Sequence, residues 1–428
     1  MIIRKILNNR IYLLHFALWL ALVVYVVRLL IPMLDYGSPF GIWLPSAEQQ
    51  SSHDGLKIVD FPFHFNFAQK VWKKETTVSS GPSIYSVENH LKVTSDWAGQ
   101  KVGSSLHFGY SPTMLWIFAP LVNFSPPTAY LLFNAAGLAA IFWLTRPSRC
   151  RWGIGLLSCF SPLAQLCFVL GQTPFVTGAG LLYMAEKMRE DSNAHGWRES
   201  IIPGTILWAF TAKPPIALVA AAVLLSMRRW RVLSIAAIFT FFSTIIISPW
   251  LGSNWMNDYI HLLRSYNQTD AGSVFAWSIY PDFMANLRAF LNIDMAFADN
   301  IAGYISAAVW LVVLAFIAIL GLLRRLSDTA LWSMSILSYL LFCPHVGPTE
   351  ELLVLVILSL CVSARESLSW QELVLFITLP LLVFISPAPG ALYGIRLPLF
   401  LAQLVLFLFM SVTGWKKTLT TGNRQYYL

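Results

Sequence analysis

Carboxylates, a lysine and a histidine stand where apolar segments of this chain end, and they are the side chains that could do chemistry. Asp60 opens the stretch DFPFHFNFAQ, and Lys213 precedes a proline pair in WAFTAKPPIALV. His345 precedes two acids, Glu350 and Glu351, in CPHVGPTEELLV. A carboxylate can accept a proton as a general base, whereas lysine and histidine can hold an anionic group. Such a set suits a reaction that removes a hydroxyl proton while cations hold an anionic leaving group.

Each of these residues also has a purely structural interpretation. Asp60 could cap a helix, because acids favour helix N-termini and a proline follows two residues later. Lys213 could extend its ammonium group from the membrane interface to water. Gln172, in LGQTPF, could be a turn residue, and His345 could belong to an ordinary loop. For Asp60, capping does not exclude catalysis, since a capped acid is also held in a fixed direction.

The composition predicts an all-α integral membrane protein. Of the 428 residues, 57% are hydrophobic and 12% are charged, whereas soluble domains carry about 25% charged residues. The N-terminal apolar run is too long for a signal peptide and reads as an uncleaved first span. A span needs about 20 apolar residues, and we predict about 12 transmembrane helices, some of them short or broken by proline. The candidate spans are 11–34, 127–145, 152–170, 174–186, 201–213, 214–227, 231–250, 301–323, 328–343, 351–364, 372–388 and 396–413.

Basic residues orient these spans. If the N-terminus is cytoplasmic, alternate short loops collect Lys and Arg, for example in 146–151 and 228–231. More than half of the 29 basic residues lie in this set, and short loops rich in Lys and Arg face the cytoplasm. We therefore predict that both termini are cytoplasmic and that the number of spans is even. The net charge of +8 reflects topology and does not indicate nucleic acid binding.

The predicted organisation is one polytopic membrane domain, 1–428, with two long outer loops. The first loop, 35–126, carries an aromatic amphipathic helix over 61–72, some of whose phenylalanines we expect in the lipid interface. A second short interfacial helix is expected in HFGYSPTMLWIFAPL, before the next span. The second loop, 251–300, has helical periodicity with polar breaks.

The sequence indicates neither a metal site nor a cofactor. The five cysteines form no CxxC pair, and the eight histidines lack metal-ligand spacing on one helix face. No phosphate-binding glycine loop, HExxH or nucleophile elbow occurs. A hydrated divalent ion held by acids stays an alternative.

Four motifs in order resemble glycosyltransferase family 87, the polyprenyl-phosphate-dependent mannosyltransferases of the GT-C fold. They are VDFPFHFNFAQKVW; GYSPTMLWIFAPL, which contains Tyr110; LGQTPF; and the Ala-Lys-Pro break before a basic RRWR loop. The resemblance covers roughly residues 55–350 and is weak in the last spans. It departs from the family in a longer polar segment after Trp72. It also departs in the late loop, which reads PHVGPTEE, whereas family members often have an aspartate beside an aromatic residue there.

The resemblance implies an inverting, multi-span enzyme in the inner (cytoplasmic) membrane. Such an enzyme moves a sugar, most often mannose, from a polyprenyl-phosphate donor to a lipid or glycan acceptor at the periplasmic or extracytoplasmic face. The general base of the family corresponds to Asp60, and the donor phosphate would meet Lys213 and His345. The remaining candidates for contact with donor or substrate are Gln172, Tyr110, Glu350 and Glu351.

Two other classes of protein fit part of the pattern. A transporter would also have about 12 spans and broken helices, but its key charges should lie near the membrane midplane. A polymerase or ligase of lipid-linked polysaccharide would place its arginines and histidine in one large late loop. The charges of this chain lie at span ends, and its first outer loop is the longer one, which favours the glycosyltransferase.

Overall fold

The computed structural model describes parts of the chain from the first span to the last. These are residues 10–14, 16–20, 23, 60–73, 83–86, 88–90, 92–93, 109–144, 164, 167, 173–188, 196–265, 295–344, 346, 348–363, 369–385 and 401–410. Within these ranges every regular element is a helix, as predicted. Gln172, His345 and most of the predicted span 152–170 lie outside the described residues.

The first half of the fold consists of α1 (Asp60–Trp72), α2 (Thr113–Phe118), α3 (Pro126–Leu144), α4 (Pro174–Lys187), α5 (Trp197–Phe210) and α6 (Pro214–Ser226). Proline begins α3, α4 and α6. Its fixed φ suits the first helical turn, and its missing N–H would have no helical partner there. The predicted short helix in the Tyr-Ser-Pro segment is confirmed as α2, which continues into a 3-10 turn, Ala119–Leu121.

The second half consists of α7 (Trp230–Leu251), α8 (Trp255–Ser265), α9 (Met295–Leu322), α10 (Asp328–Phe342), α11 (Leu353–Ser363) and α12 (Trp370–Ile385). A 3-10 turn, Pro348–Leu352, leads into α11. Helix α9 begins at Met295, before the predicted span 301–323, and its apolar part, Tyr304–Leu322, agrees with that span. The stretch MAFADN is too polar to extend an apolar span, yet it contains neither proline nor glycine to stop a helix.

Among the described residues, two helices are long and apolar enough to cross a membrane, Trp230–Leu251 and Tyr304–Leu322 within α9. In each, only 22% of the most apolar window is buried, so most of the apolar surface faces outward. Such a surface would be unusual in water and suits contact with lipid. The shorter apolar helices in the described ranges are Arg10–Leu20, Thr128–Ala140, Pro214–Ser226 and Leu401–Met410. The count of about 12 spans therefore stays a prediction.

The main hydrophobic core is centred on α10 and α11. Every residue of α10 after Asp328 is buried, and α11 is buried throughout its described side chains. A helix that is apolar all round belongs in the interior, where α10 contacts α6, α9 and α11. The three free cysteines among the described residues are buried in or beside these segments, as small apolar side chains often are: Cys167, Cys343 and Cys361.

A second hydrophobic cluster attaches α1 to the bundle. Phe65 packs on Phe118 of α2 with ring centroids 5.9 Å apart, and Phe118 packs on Phe133 of α3 at 5.8 Å. Phe65 and Phe67 are both buried, so these two phenylalanines pack inside the protein and not in the lipid interface. The Trp72 indole N–H donates to the Leu115 carbonyl at 2.8 Å. Helix α1 is thus fixed firmly over α2.

Candidate active site

Lys213 lies in a break between two helices. Helix α5 ends at Phe210 and α6 begins at Pro214, which confirms the predicted helix break. Lys213 has φ −123° and ψ 87°, because a following proline disfavours the helical conformation of the residue before it. The first two residues of α6 are prolines, which have no N–H group to offer an anion. The positive charge at this helix start is therefore that of the Lys213 side chain.

The ammonium group of Lys213 forms an ion pair with Glu350, which comes 137 residues later. Glu350 lies in the 3-10 turn before α11 and is only 2% exposed. Its second oxygen, Oε2, accepts a hydrogen bond from the Tyr339 hydroxyl at 2.9 Å. A buried carboxylate is tolerated when it is paired and hydrogen-bonded in this way. The sequence predicted both charged residues as site candidates but not their pairing.

The neighbouring acid, Glu351, has a different partner. Gln403, in the helix Leu401–Met410, donates an amide N–H to Glu351 Oε2 at 2.5 Å. Glu351 is 3% exposed and Gln403 is fully buried. Two consecutive acids therefore extend to different sides of the 3-10 turn, and Glu350 is the one that contacts Lys213.

Lys213 lines an apolar cavity of about 430 Å³. The polar side chains of the cavity wall are those of Tyr110, Thr173, Thr177, Tyr183 and Lys213, and Lys213 is the charged residue among the described residues that line it. Residues of α2, α3, α4 and α5 form the rest of the wall, which is almost entirely apolar. Lys213 thus lines the cavity, while its ammonium group contacts Glu350.

Hydrogen bonds join the Tyr110 segment to the residues just before Lys213. The Ser111 backbone N–H donates to the Ala212 carbonyl at 3.1 Å, and the Ser111 hydroxyl donates to the Thr211 carbonyl at 2.6 Å. The hydroxyls of Thr113 and Thr211 are 2.8 Å apart. The sequence analysis missed these three polar residues, although they lie inside the motifs YSPT and TAKP. They fix Tyr110 beside the helix break.

Helix α1 meets this segment through His64. The His64 ring packs edge-to-face on Tyr110, with centroids 4.9 Å apart. Residues four apart share one face of a helix, so the backbone position of Asp60 lies on the same face of α1 as His64. Asp60 is the first residue of α1, not the residue before it, and its side chain lies outside the described residues. The start of α1 is therefore directed to the Tyr110 side of the cavity.

The sequence analysis also missed His64, although its spacing from Asp60 could have indicated it. His64 is buried, and desolvation lowers its pKa to about 3. The imidazole is therefore neutral near pH 7 and keeps one acceptor nitrogen. A neutral imidazole one turn from Asp60 adds no charge beside that acid.

A sequence model of glycosyltransferase family 87 matches residues 108–344, which is more than half of the chain. The chain belongs to glycosyltransferase family 87. The resemblance drawn from the four motifs is confirmed, and a membrane glycosyltransferase is favoured over a transporter or a polysaccharide polymerase. No curated protein and no solved structure matches the chain.

The segment that matches family 87 contains much of the site. Tyr110, Lys213 and Tyr339 lie within it, whereas Asp60 and Glu350 lie on either side. A glycosyltransferase needs a donor and an acceptor, and the cavity beside Lys213 is enclosed largely by residues of the matched segment. Gln172 directly precedes Thr173 of the cavity wall, and His345 precedes the buried Val346, but neither residue is itself described.

Proposed function

We propose that this family 87 enzyme transfers a sugar from a polyprenyl-phosphate donor to a lipid or glycan hydroxyl at the outer face of the cytoplasmic membrane. The observation that carries the proposal is the apolar cavity that has a lysine in its wall. A prenyl chain needs an apolar groove, and a phosphate needs a cation at the end of it. Mannose is the proposed sugar because it is the commonest donor sugar of the family.

The size of the cavity supports binding of only part of the donor. Its volume of about 430 Å³ lies in the range of small-ligand sites. A polyprenyl chain is much longer, so the cavity would take the isoprene units nearest the phosphate while the remainder lies in the bilayer. Thr173, Thr177 and Tyr183 add hydroxyls to this wall. They would orient the phosphate or sugar without adding charge.

The proposed chemistry is a direct displacement at the anomeric carbon. Asp60 accepts the proton of the acceptor hydroxyl, and the hydroxyl oxygen forms a new bond to the anomeric carbon. The bond from that carbon to the phosphate oxygen breaks, and its electron pair stays on the phosphate. Attack opposite the leaving phosphate inverts the configuration. Lys213 stabilises the charge that collects on the leaving phosphate.

The other sequence candidates take supporting roles in this proposal. His345 would be a second ligand of the donor phosphate, and Tyr110 would border the sugar between Lys213 and the start of α1. Gln172 would contact the sugar or phosphate from the turn before α4. Glu351 contacts Gln403, so its proposed role in substrate binding would be through the position of the 3-10 turn.

The test is transfer of labelled mannose from polyprenyl-phosphate mannose by the purified enzyme in lipid nanodiscs. Replacing Lys213 alone would leave the buried Glu350 carboxylate without its cation, which destabilises proteins by about 3–5 kcal/mol. The variant is therefore Lys213→Gln combined with Glu350→Gln, which keeps two neutral side chains of similar size in contact. Loss of charge stabilisation at the leaving group should lower turnover by about 10²-fold or more.

The control is Lys187→Gln, at the exposed end of α4. It removes the same charge away from the cavity and should keep parental turnover. A folded double variant with parental transfer and donor binding would contradict the role of Lys213. Failure of the parent with mannose, glucose and arabinose donors alike would contradict the proposed donor class.

A further inference from the structure

The cation of the proposed phosphate site already has an anionic partner. Glu350 Oε1 accepts from Lys213, and its Oε2 accepts from Tyr339. The carboxylate is almost fully buried, so water does little to screen it from a ligand at Lys213. The pair has no net charge. An incoming anion therefore meets one attractive and one repulsive charge.

We propose that Glu350 is a specificity residue that limits the charge accepted at Lys213 to that of a phosphodiester. This role rests on the polyprenyl-phosphate donor proposed above. The donor is a phosphodiester with one negative charge. The polyprenyl phosphate that leaves is a monoester, whose second pKa is about 6, so it carries about −1.5 to −2 at pH 7. Glu350 thus favours entry of the donor and departure of the product.

The repulsion between the Glu350 carboxylate and a bound anion increases with the charge of that anion. Suppose that neutralising Glu350 raises the affinity of a single negative charge by some factor. A ligand with two charges then gains about the square of that factor, because each charge meets the same carboxylate. At contact distances in a partly buried site, one such interaction is worth about tenfold or more in affinity. Preference for monoester over diester should therefore rise by about that factor when the carboxylate is removed.

Few other charges in the described part of the chain face this pair. The 3-10 turn of Glu350 packs on α4 and α11. The thiol of Cys167 lies within electrostatic range of Glu350 and Lys213, and Cys343 and Tyr110 lie within range of Tyr339. These groups are neutral thiols and phenols near pH 7. Glu351, the next residue of the turn, accepts from Gln403 on the other side. Lys213 and Glu350 are therefore the charged groups in direct contact at the described site.

Substitution by glutamine removes the charge and preserves the contacts. In Glu350→Gln, the amide oxygen can accept from Lys213, and the amide N–H can donate to the Tyr339 hydroxyl. The matched control is Glu372→Gln, which removes the charge of a buried acid in the first turn of α12, away from the proposed site. A glutamine there can still accept the Ser369 backbone N–H that Glu372 accepts at the start of this helix.

The experiment compares two ligands that differ only in charge, a polyprenyl phosphate and its methyl diester, by their dissociation constants in nanodiscs. Neither ligand carries a sugar, so the comparison does not depend on which sugar is transferred. For Glu350→Gln at pH 8, the monoester should gain about tenfold more affinity than the diester. At pH 5 the monoester carries one charge, and this difference should disappear. Glu372→Gln should keep the parental ratio at both pH values.

The pH dependence of the same ratio provides a second measurement. As the pH rises through about 6, where the second phosphate charge appears, the affinity for the monoester relative to the diester should rise about tenfold less in the parent than in Glu350→Gln. An equal pH dependence of this ratio in the parent and in Glu350→Gln would overturn the role of Glu350, as would an equal change for both ligands in Glu350→Gln. If the parent binds neither ligand, the proposed function is overturned together with this role. A parent that binds both, with a ratio that Glu350→Gln leaves unaltered, overturns the role of Glu350 alone.

Discussion

Lys213 can reach both a buried carboxylate and an apolar cavity from one backbone position. The two prolines that follow Lys213 begin α6, so Lys213 itself lies outside the helix, between α5 and α6. The carboxylate comes from a 3-10 turn far along the chain, and Tyr339 holds the other oxygen of that carboxylate. At the residue scale, a single charge-neutral pair therefore defines one end of the site. Catalysis needs a second group, which must act on the acceptor.

Asp60 is the proposed second group, and its charge can be removed with little change in shape. Asp60→Asn keeps the size of the side chain and its ability to accept a hydrogen bond at the start of α1. General-base assistance is worth about 10²–10⁴-fold in rate, so turnover should fall by that order while donor binding is unchanged. The measurement is single-turnover transfer from bound donor, together with the donor dissociation constant.

The control for Asp60→Asn is Asp258→Asn. Asp258 lies in the first turn of α8, in the second predicted outer loop, and it accepts from Asn254. Its substitution removes an acid of the same type from the same predicted side of the membrane, and transfer should stay near the parental rate. If Asp60→Asn also transfers sugar at the parental rate, Asp60 has only a structural role at the start of α1. The base must then be sought elsewhere.

At the element scale, much of the helical framework could be predicted because local rules determine it. Prolines mark the starts of α3, α4 and α6, and the predicted spans 231–250 and 328–343 agree closely with α7 and α10. The site was only half predictable. Lys213 and Glu350 were singled out by type and by position at segment ends. Their pairing across 137 residues depends on how α4, α6 and α11 pack, and no local pattern encodes that.

The missed residues illustrate the same limit. Ser111 and Thr211 have ordinary residue types for turns, and the hydrogen bond between them forms only because the two turns approach each other. In the sequence, His64 is one of several aromatic rings in the same predicted helix. Its burial against Tyr110 follows from the packing of α1 on α2, which the alternation of phenylalanines did not reveal. Even the direction of Phe65 and Phe67, inward and not toward lipid, depends on that packing.

Close packing of α5 on α7 gives a test at this scale. A Cβ atom added to Gly204 would lie 2.6 Å from Ile235 Cγ2 and 2.7 Å from Ile235 Cβ, which is too close for real side chains. Small residues let helices approach in membranes. Gly204→Ala should therefore force α5 and α7 apart and destabilise the protein by about 1–3 kcal/mol.

The measurement is the midpoint of thermal unfolding in detergent. Gly196, at the start of α5, is the matched control, because a Cβ atom there meets nothing within 4 Å. Gly196→Ala also keeps the backbone N–H that donates to Glu199 at 2.8 Å. The midpoint of Gly204→Ala should be clearly lower than that of Gly196→Ala. Equal midpoints would show that Ile235 moves aside at little cost.

At the scale of the whole molecule, α5 and α6 are too short to cross a bilayer alone. Helices of 14 and 13 residues rise about 20 Å, whereas the hydrocarbon core is about 30 Å thick. If both begin or end at the cytoplasmic face, the break at Lys213 lies below the outer face. Helices α1 and α2 would then cover it from outside. This arrangement explains how a charged group and an apolar cavity share one sheltered position.

The proposed orientation can be tested with exposed residues on opposite sides. Gly196 precedes α5 and should face the cytoplasm, while Asn257 lies in α8 and should face outward. Both are exposed, and the three described cysteines are buried, so the parent gives a baseline for labelling. In sealed, right-side-out vesicles, a membrane-impermeant maleimide should label Asn257→Cys strongly and Gly196→Cys no more than the parent.

A permeant maleimide is the control, and it should label both variants because both positions are exposed to water. Labelling of Gly196→Cys by the impermeant reagent would show that α5 has the opposite orientation. The Lys213 break would then be directed to the cytoplasmic side of the membrane. The donor would then have to be used at the cytoplasmic face. The assignment of the basic loops to the cytoplasm and the placement of Asp60 outside depend on the same alternation of spans, so this one labelling pattern tests them together.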